Sequence, residues 1–305
     1  MILTGPLVLR DRRTALSAAL VALPAVMWGL WPSVLRPVTL GAVQSLVVVQ
    51  LVQSSPAAWV AVRERSAFRD RGAVLALLVF GVFDAAQGVL YFSALARGPV
   101  AVAALTHYLG PVLVALAAPF IPGERASRRA MVAAPVSLLG LALVMGRPEH
   151  APVRTALLGA GSAFFGAATL FAVRRATRSF SPLAICALHA VVALAVLLAL
   201  FGAGAVPRWG PDVPRIAGAA VVLGIGAALL FNHAVKRVPA STASVITYVE
   251  PVTAVGMGWL LAGDRLGARA LLGAAVVIGA GVWVALEPAP AGDAPAVAAP
   301  RREAA

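Results

Sequence analysis

Asp84, Gln87 and Tyr91 stand at i, i+3 and i+7 of one apolar stretch, and Glu250 stands inside another. The spacing puts the first three side chains on one helical face, with Gly88 beside them. Polar groups at membrane depth are costly, so such a face must point into a bundle or a wet cavity. There it either bonds a neighbouring helix or meets a substrate. A carboxyl in a narrow cavity can carry a proton or pair with a substrate amine. Glu250 is the sharpest candidate for that chemistry and Asp84 the second; both are candidates for proton coupling.

Two prolines inside apolar stretches add a second group. Pro111 and Pro251 each lack an N–H, so each frees the carbonyl four residues earlier, on His107 and Thr247. Freed carbonyls at membrane depth are tolerated where they meet a polar partner or line water. His107 shares a face with Gly110 and Pro111, and Ser244 and Thr247 share one with Glu250 and Pro251. The two kinks can shape the bundle and still form a cavity wall. Trp28, which follows Pro24, joins that wall as a candidate, as does Gln44. His189 and Asn232 read as residues that bond across helices.

Motifs for other chemistries are missing. The sequence has no Walker lysine, no His-Glu-x-x-His pair and no Gly-x-Ser-x-Gly elbow. His107, His150, His189 and His233 lack metal-ligand spacing, and Cys186 is the single cysteine, so neither a metal site nor an internal disulfide is expected. No cofactor is expected.

The elements that must hold these residues are membrane helices. The chain has 305 residues, 61% hydrophobic and 12% charged, with a mean hydropathy of +0.91. A soluble domain carries about a quarter charged residues. The net charge of +13 is spread as short arginine clusters between apolar runs, which argues for topology signals and against a nucleic-acid face. Ten runs are long enough to span a bilayer: 14–35, 38–60, 72–95, 99–121, 128–146, 155–175, 182–204, 213–235, 240–262 and 267–286. With a cytoplasmic N-terminus, 17 of the 25 Lys and Arg residues fall inside and 8 outside, so both termini are expected in the cytoplasm.

The runs repeat with a period of 140 residues. Leu90–Pro99 lies over Leu230–Pro239, Tyr108-Leu109-Gly110-Pro111 over Tyr248-Val249-Glu250-Pro251, and Glu124-Arg125 over Asp264-Arg265. Five runs per copy is an odd number, so the second copy enters the membrane upside down. Inverted pairs of this kind leave a binding site near the midplane between the halves.

The stretch from Ala234 to Leu266 carries Val238-Pro239-Ala240, Glu250-Pro251 and Gly263-Asp264-Arg265, and the first copy carries Pro99, Gly110-Pro111 and Gly123-Glu124-Arg125. In these runs the chain resembles the EamA family of the drug/metabolite transporter superfamily, over residues 14–286. The resemblance implies a cytoplasmic-membrane carrier that moves small metabolites by alternating access, often exporting amino acids. Gln44 stands where that family often has an arginine.

The expectation is therefore an all-α integral membrane protein of ten transmembrane helices arranged as two inverted five-helix repeats. Residues 1–13 are expected as a cytoplasmic segment, 14–146 and 155–286 as the repeats, and 287–305 as a disordered cytoplasmic tail. The partners expected are a small-molecule substrate and the lipid bilayer, with no nucleic acid and with a homo-oligomer left open. A carrier of hydrophobic cations or drugs is the first alternative, and an intramembrane enzyme or scaffold a more distant one.

Overall fold

A lipid environment offers the backbone no hydrogen-bond partner, so each apolar run must close its own bonds as a helix. The computed structural model describes residues 6–124, 127–146, 152–262 and 267–287. Ten helices there are long and apolar enough to cross a membrane: α1 (Ala18–Leu35), α2 (Ala42–Arg63), α3 (Arg71–Leu95), α4 (Val100–Phe120), α5 (Arg128–Met145), α6 (Val153–Ala176), α7 (Pro182–Ala205), α8 (Asp212–Ala234), α9 (Ala240–Leu261) and α10 (Ala268–Ala285). Their ends differ from the sequence expectation by a few residues. Helical backbone ahead of α1 already begins at Pro6, inside the segment expected as an N-terminal lead. Arg125, Arg147, His150, Gly263-Asp264-Arg265 and the tail from 288 onward lie outside the described residues.

Several helix starts are set by short polar side chains. Asp70, Ser127 and Ser181 accept the backbone N–H of Ala73, Ala130 and Ala184, satisfying donors that a first turn leaves open. Pro182 follows Ser181, where its missing N–H costs nothing.

Four helices break along their length. α1 breaks at Gly29-Leu30, α2 at Ser55-Pro56, α4 at Tyr108-Leu109 and α9 at Thr247-Tyr248. The last two are the proline-linked pair of the repeat. The turn in α4 falls just past His107, and the carbonyl given an outside partner is Tyr108's rather than His107's. The Tyr248 hydroxyl donates to it at 2.7 Å. Each tyrosine is the other's mate across 140 residues, so one copy caps the break of the other. A feature the periodicity did not announce is in α8, which widens into π-helical turns over Ala220–Gly226.

Contacts between helix ends define two ends of the bundle. At one, Asp70 before α3 meets Arg175 late in α6 with two hydrogen bonds of 2.9 and 2.6 Å, and Ser127 before α5 meets Glu287 after α10. At the other, Thr39 between α1 and α2 donates twice to Asp212 at the start of α8, at 2.8 and 2.7 Å, and Gly98 after α3 presses on Thr155 early in α6. α3 and α6 are therefore antiparallel. Because α3 runs with α1, α6 runs against its own repeat mate. The second five-helix unit is inverted relative to the first.

The Asp70 end is also its most ionic part. Glu124, after α4, receives Arg174 Nε at 2.5 Å and Ala240 N at 3.4 Å, and Arg174 also donates to the carbonyls of Val235 and Val238. The Arg175 guanidinium, then Ser179 and the Ala73 N–H, hold the Asp70 carboxyl well below its ordinary range.

Elsewhere small residues bring helices together. A Cβ on Gly273 of α10 would lie 2.4 Å from the Gly140 carbonyl and 2.8 Å from the Val144 nitrogen of α5. Backbone thus rests on backbone between these two repeat mates, the contact that small residues permit in lipid. Leu75, Leu139, Leu157, Leu200 and Leu272 are exposed on the outside of the bundle, the coat a membrane helix presents to acyl chains.

Candidate functional site

A cavity of about 420 Å3 lies between the two halves. Helices from both copies wall it, and it reaches three of the four helix breaks: Trp28 beside Gly29, His107 and Tyr108 in α4, and Thr247 and Glu250 in α9. No lysine or arginine lines it among the described residues.

The break in α9 places Glu250. The helix restarts at Val249, which puts the carboxyl in the first turn of the second half-helix. A half-helix N-terminus favours negative charge there. Its surroundings come from other helices. Tyr108 shares the cavity wall with Glu250. α1 comes in at its own break: a Cβ on Gly29 would lie 2.5 Å from the Glu250 carbonyl oxygen and 2.6 Å from Thr253 Cβ. Only a glycine permits that approach, and it seats the neighbouring Trp28 on the cavity wall against Phe231, ring centroids 5.2 Å apart.

Asp84 is held differently. It sits in the middle of α3, which is continuous. Gln50 of α2 donates to its Oδ2 at 2.8 Å, and His189 Nε2 of α7 lies 3.9 Å from the same oxygen. The His189 ring stacks on Phe80 at 3.9 Å and 12°. Its Nδ1 is 2.8 Å from the Ile185 carbonyl, which can only accept, so Nδ1 carries a hydrogen.

A short chain links the third group. Ser162 Oγ donates to the Gln87 carbonyl at 2.9 Å, so its one hydrogen is used, and His107 Nδ1 donates to Ser162 at 2.8 Å. Neutral His107 and neutral His189 thus both keep Nε2 as an acceptor. Tyr91 stacks on His107 at 4.1 Å. The Gln87 amide fills the space beside Gly166 of α6, where a Cβ would meet its Oε1 at 2.6 Å.

Of the sequence candidates, Trp28, Asp84, Gln87, His107, Thr247 and Glu250 line the cavity together, with Pro111 beside them. Pro251 is buried immediately behind Glu250. Tyr91 does not line it; it backs the wall through His107. Gln44 is elsewhere. It lies in the first turn of α2, accepts from Gly41 N at 3.2 Å and reaches the carbonyls of Gly204 and Val206 at 3.4 Å each, ordering the Asp212 end. Four amide or imidazole residues of the wall have no such place in the sequence reading. Gln50 and Gln53 were not singled out, and His189 and Asn232 read as inter-helix bonds. Asn232 does make one, to the Pro182 carbonyl at 3.3 Å. The signal that was available is simple: four amide or imidazole side chains inside apolar runs, each costly unless partnered.

Comparison with known proteins supplies three findings. The model of the EamA-like transporter family matches residues 15–146 and again 153–286. An uncharacterized transporter of Archaeoglobus fulgidus is 29% identical over 210 residues, spanning 68% of this chain and 75% of that one. A crystal structure described only as that of a protein is similar with a TM-score of 0.70 at 22% identity, covering 88% of this chain and 97% of the other. That last likeness speaks for the fold.

Proposed function

Since the chain belongs to the EamA-like transporter family and is a multi-pass membrane transporter of the drug/metabolite type, we propose that it exports a small polar metabolite, an amino acid or related compound, by alternating access across the cytoplasmic membrane. The observation carrying this reading is that one carboxyl from each inverted copy, Asp84 and Glu250, lines a single cavity between them. An inverted pair can rock about such a cavity and open it to either side in turn. Asp84 and Glu250 are the groups that take up and release the coupling proton. Tyr91, His107, Gln87, Thr247 and Trp28 shape the substrate's place between them.

Both termini are cytoplasmic in this reading, since that orientation puts 17 of the 25 Lys and Arg residues inside. Cysteines at positions 125 and 265 should then label from opposite sides of the membrane; labelling from one side only refutes it. Export itself is tested by comparing metabolites in the medium with and without overexpression. The account expects one or more amino-acid-like compounds to accumulate with the wild type and not with Asp84→Asn/Glu250→Gln. An unchanged medium refutes it.

A second reading has support in one feature. Two acids and several aromatic rings, with no lysine or arginine lining the cavity among the described residues, also suit a hydrophobic cation. A resistance and uptake panel of cationic drugs separates the two.

A further inference from the structure

We propose that Gln50, Asp84 and His189 form a subsite for the ammonium group of the transported molecule. The inference rests on the exporter reading above and specifies what is gripped, and where.

Acceptors on this wall are left unmatched. Gln50 is 4% exposed and lines the cavity. Its amide nitrogen is used on Asp84, yet its Oε1 is buried with no hydrogen-bond partner. A buried amide oxygen left without a donor is costly, so a donor belongs there. His189, 5% exposed, donates from Nδ1 to Ile185 and so presents a bare Nε2 toward Asp84 when neutral. The Asp84 carboxylate completes the set. Three acceptors on α2, α3 and α7 thus share one wall of the cavity, and of the two donors within the cluster, both on Gln50 Nε2, one is already spent on Asp84. The missing partner is a cation with several N–H groups. A primary ammonium has three and a positive charge, which Asp84 balances. An alkali cation fits less well, because hard cations take oxygen ligands in preference to imidazole nitrogen.

The same geometry makes the ammonium and a proton rivals. A coupling proton taken up by the Asp84–His189 pair rests on Nε2, converts that acceptor into a donor and fills the place the substrate needs. The titratable groups nearby are few. Cys186 is buried on α7 three residues before His189, while His107 and Glu250 line the same cavity from α4 and α9. One proton leaves as one ammonium enters, and charge is conserved at the subsite.

The test uses the purified full chain in detergent and three matched probes: leucine, isoamylamine, which keeps the amine without the carboxylate, and isocaproate, which keeps the carboxylate without the amine. Calorimetry should show leucine and isoamylamine binding and isocaproate failing to bind, with sodium chloride no competitor. Asp84→Asn and Gln50→Met should each weaken isoamylamine binding about ten- to a hundredfold, with Gln44→Ala, outside the cavity, as the unaffected control. Gln50→Met keeps the test decisive if Asp84→Asn fails to fold. In weakly buffered solution at about pH 5, below the ordinary histidine value, isoamylamine should release protons from wild type and not from His189→Gln. Isocaproate binding alone, sodium displacing the amine, absence of binding by all three probes, or amine binding undiminished in both variants overturns the subsite. The medium comparison is independent of these readouts. An exporter whose amine binding ignores Asp84 and Gln50 loses only the subsite, and an amine binder that leaves the medium unchanged loses only the export reading.

Discussion

The two cavity carboxyls are built on opposite principles. Asp84 sits in an unbroken helix and is held by side chains, an amide from α2 and an imidazole from α7. Glu250 sits at a helix break and is held by backbone geometry, with the half-helix start beneath it, the Gly29 approach beside it and Tyr108 on the same wall. Across the 140-residue repeat, Asp84 corresponds to Gly224 and Glu250 to Gly110. Each copy thus supplies an acid where the other supplies a glycine. Gly224 even falls inside the π-helical turns of α8, packed toward the Gln53 side chain. Duplication shaped the scaffold twice and the chemistry once per side. An asymmetric pair can divide the work, with the side-chain-held acid gripping a ligand and the break-held acid sensing movement of the half-helix beneath it.

Removing both acids should have the largest effect on that division. Asp84→Asn with Glu250→Gln should cut flux in proteoliposomes about a hundredfold and abolish its dependence on pH. Each single variant separates the roles: Asp84→Asn should mainly raise the substrate concentration for half-maximal flux, and Glu250→Gln should mainly lower the maximal rate. Identical kinetic signatures would erase the distinction.

The backbone-held site should be the more sensitive to an added side chain. Gly29→Val places atoms against the Glu250 carbonyl and Thr253. Neither can step aside easily, so thermal unfolding in detergent should report a loss of about 1–3 kcal/mol. At Gly166→Ala the obstacle is the far end of the Gln87 side chain, which can turn, and the loss should stay below about 1 kcal/mol. Tyr248→Phe, which removes the cap on the Tyr108 carbonyl, should cost about 1 kcal/mol.

The smallest expected effect lies outside the cavity, at Asp70. Its folded carboxyl is held below the ordinary 3.8 by Arg175 first and by Ser179 and Ala73 next. A lowered folded value means the stabilisation is present above the unfolded value and fades as pH falls from there toward the folded one. Acid unfolding of wild type should therefore carry a component below about pH 4 that Asp70→Asn lacks. Identical acid profiles would deny the linkage.

Much of this was legible in the residues. Ten apolar runs gave ten helices because lipid leaves the backbone no alternative, and the repeat with an odd helix count gave the inversion. The Asp84–Gln87 spacing and the two prolines led to one cavity. The failures have physical reasons. Runs such as Val47–Leu51 are apolar all round, so no pattern says which face Gln50 or Gln53 takes. Gln44 stands near the start of a helix, where a side-chain oxygen finds backbone N–H groups close by, and capping prevailed. The proline identified the break in α4, but the turn settled just past His107 because Tyr248 was there to satisfy Tyr108, a contact 140 residues away. The π-helical turns of α8 lie against Gln53 of α2 at Gly224, a contact local sequence does not encode.

The account's central claim is one cavity open to each side of the membrane in turn. The direct measurement is labelling of Thr247→Cys, in a Cys186→Ser background, with a membrane-impermeant maleimide applied to right-side-out and to inverted vesicles. The account predicts modification from both sides, slowed in each case by transported substrate. Modification from one side only, or from neither, would contradict it.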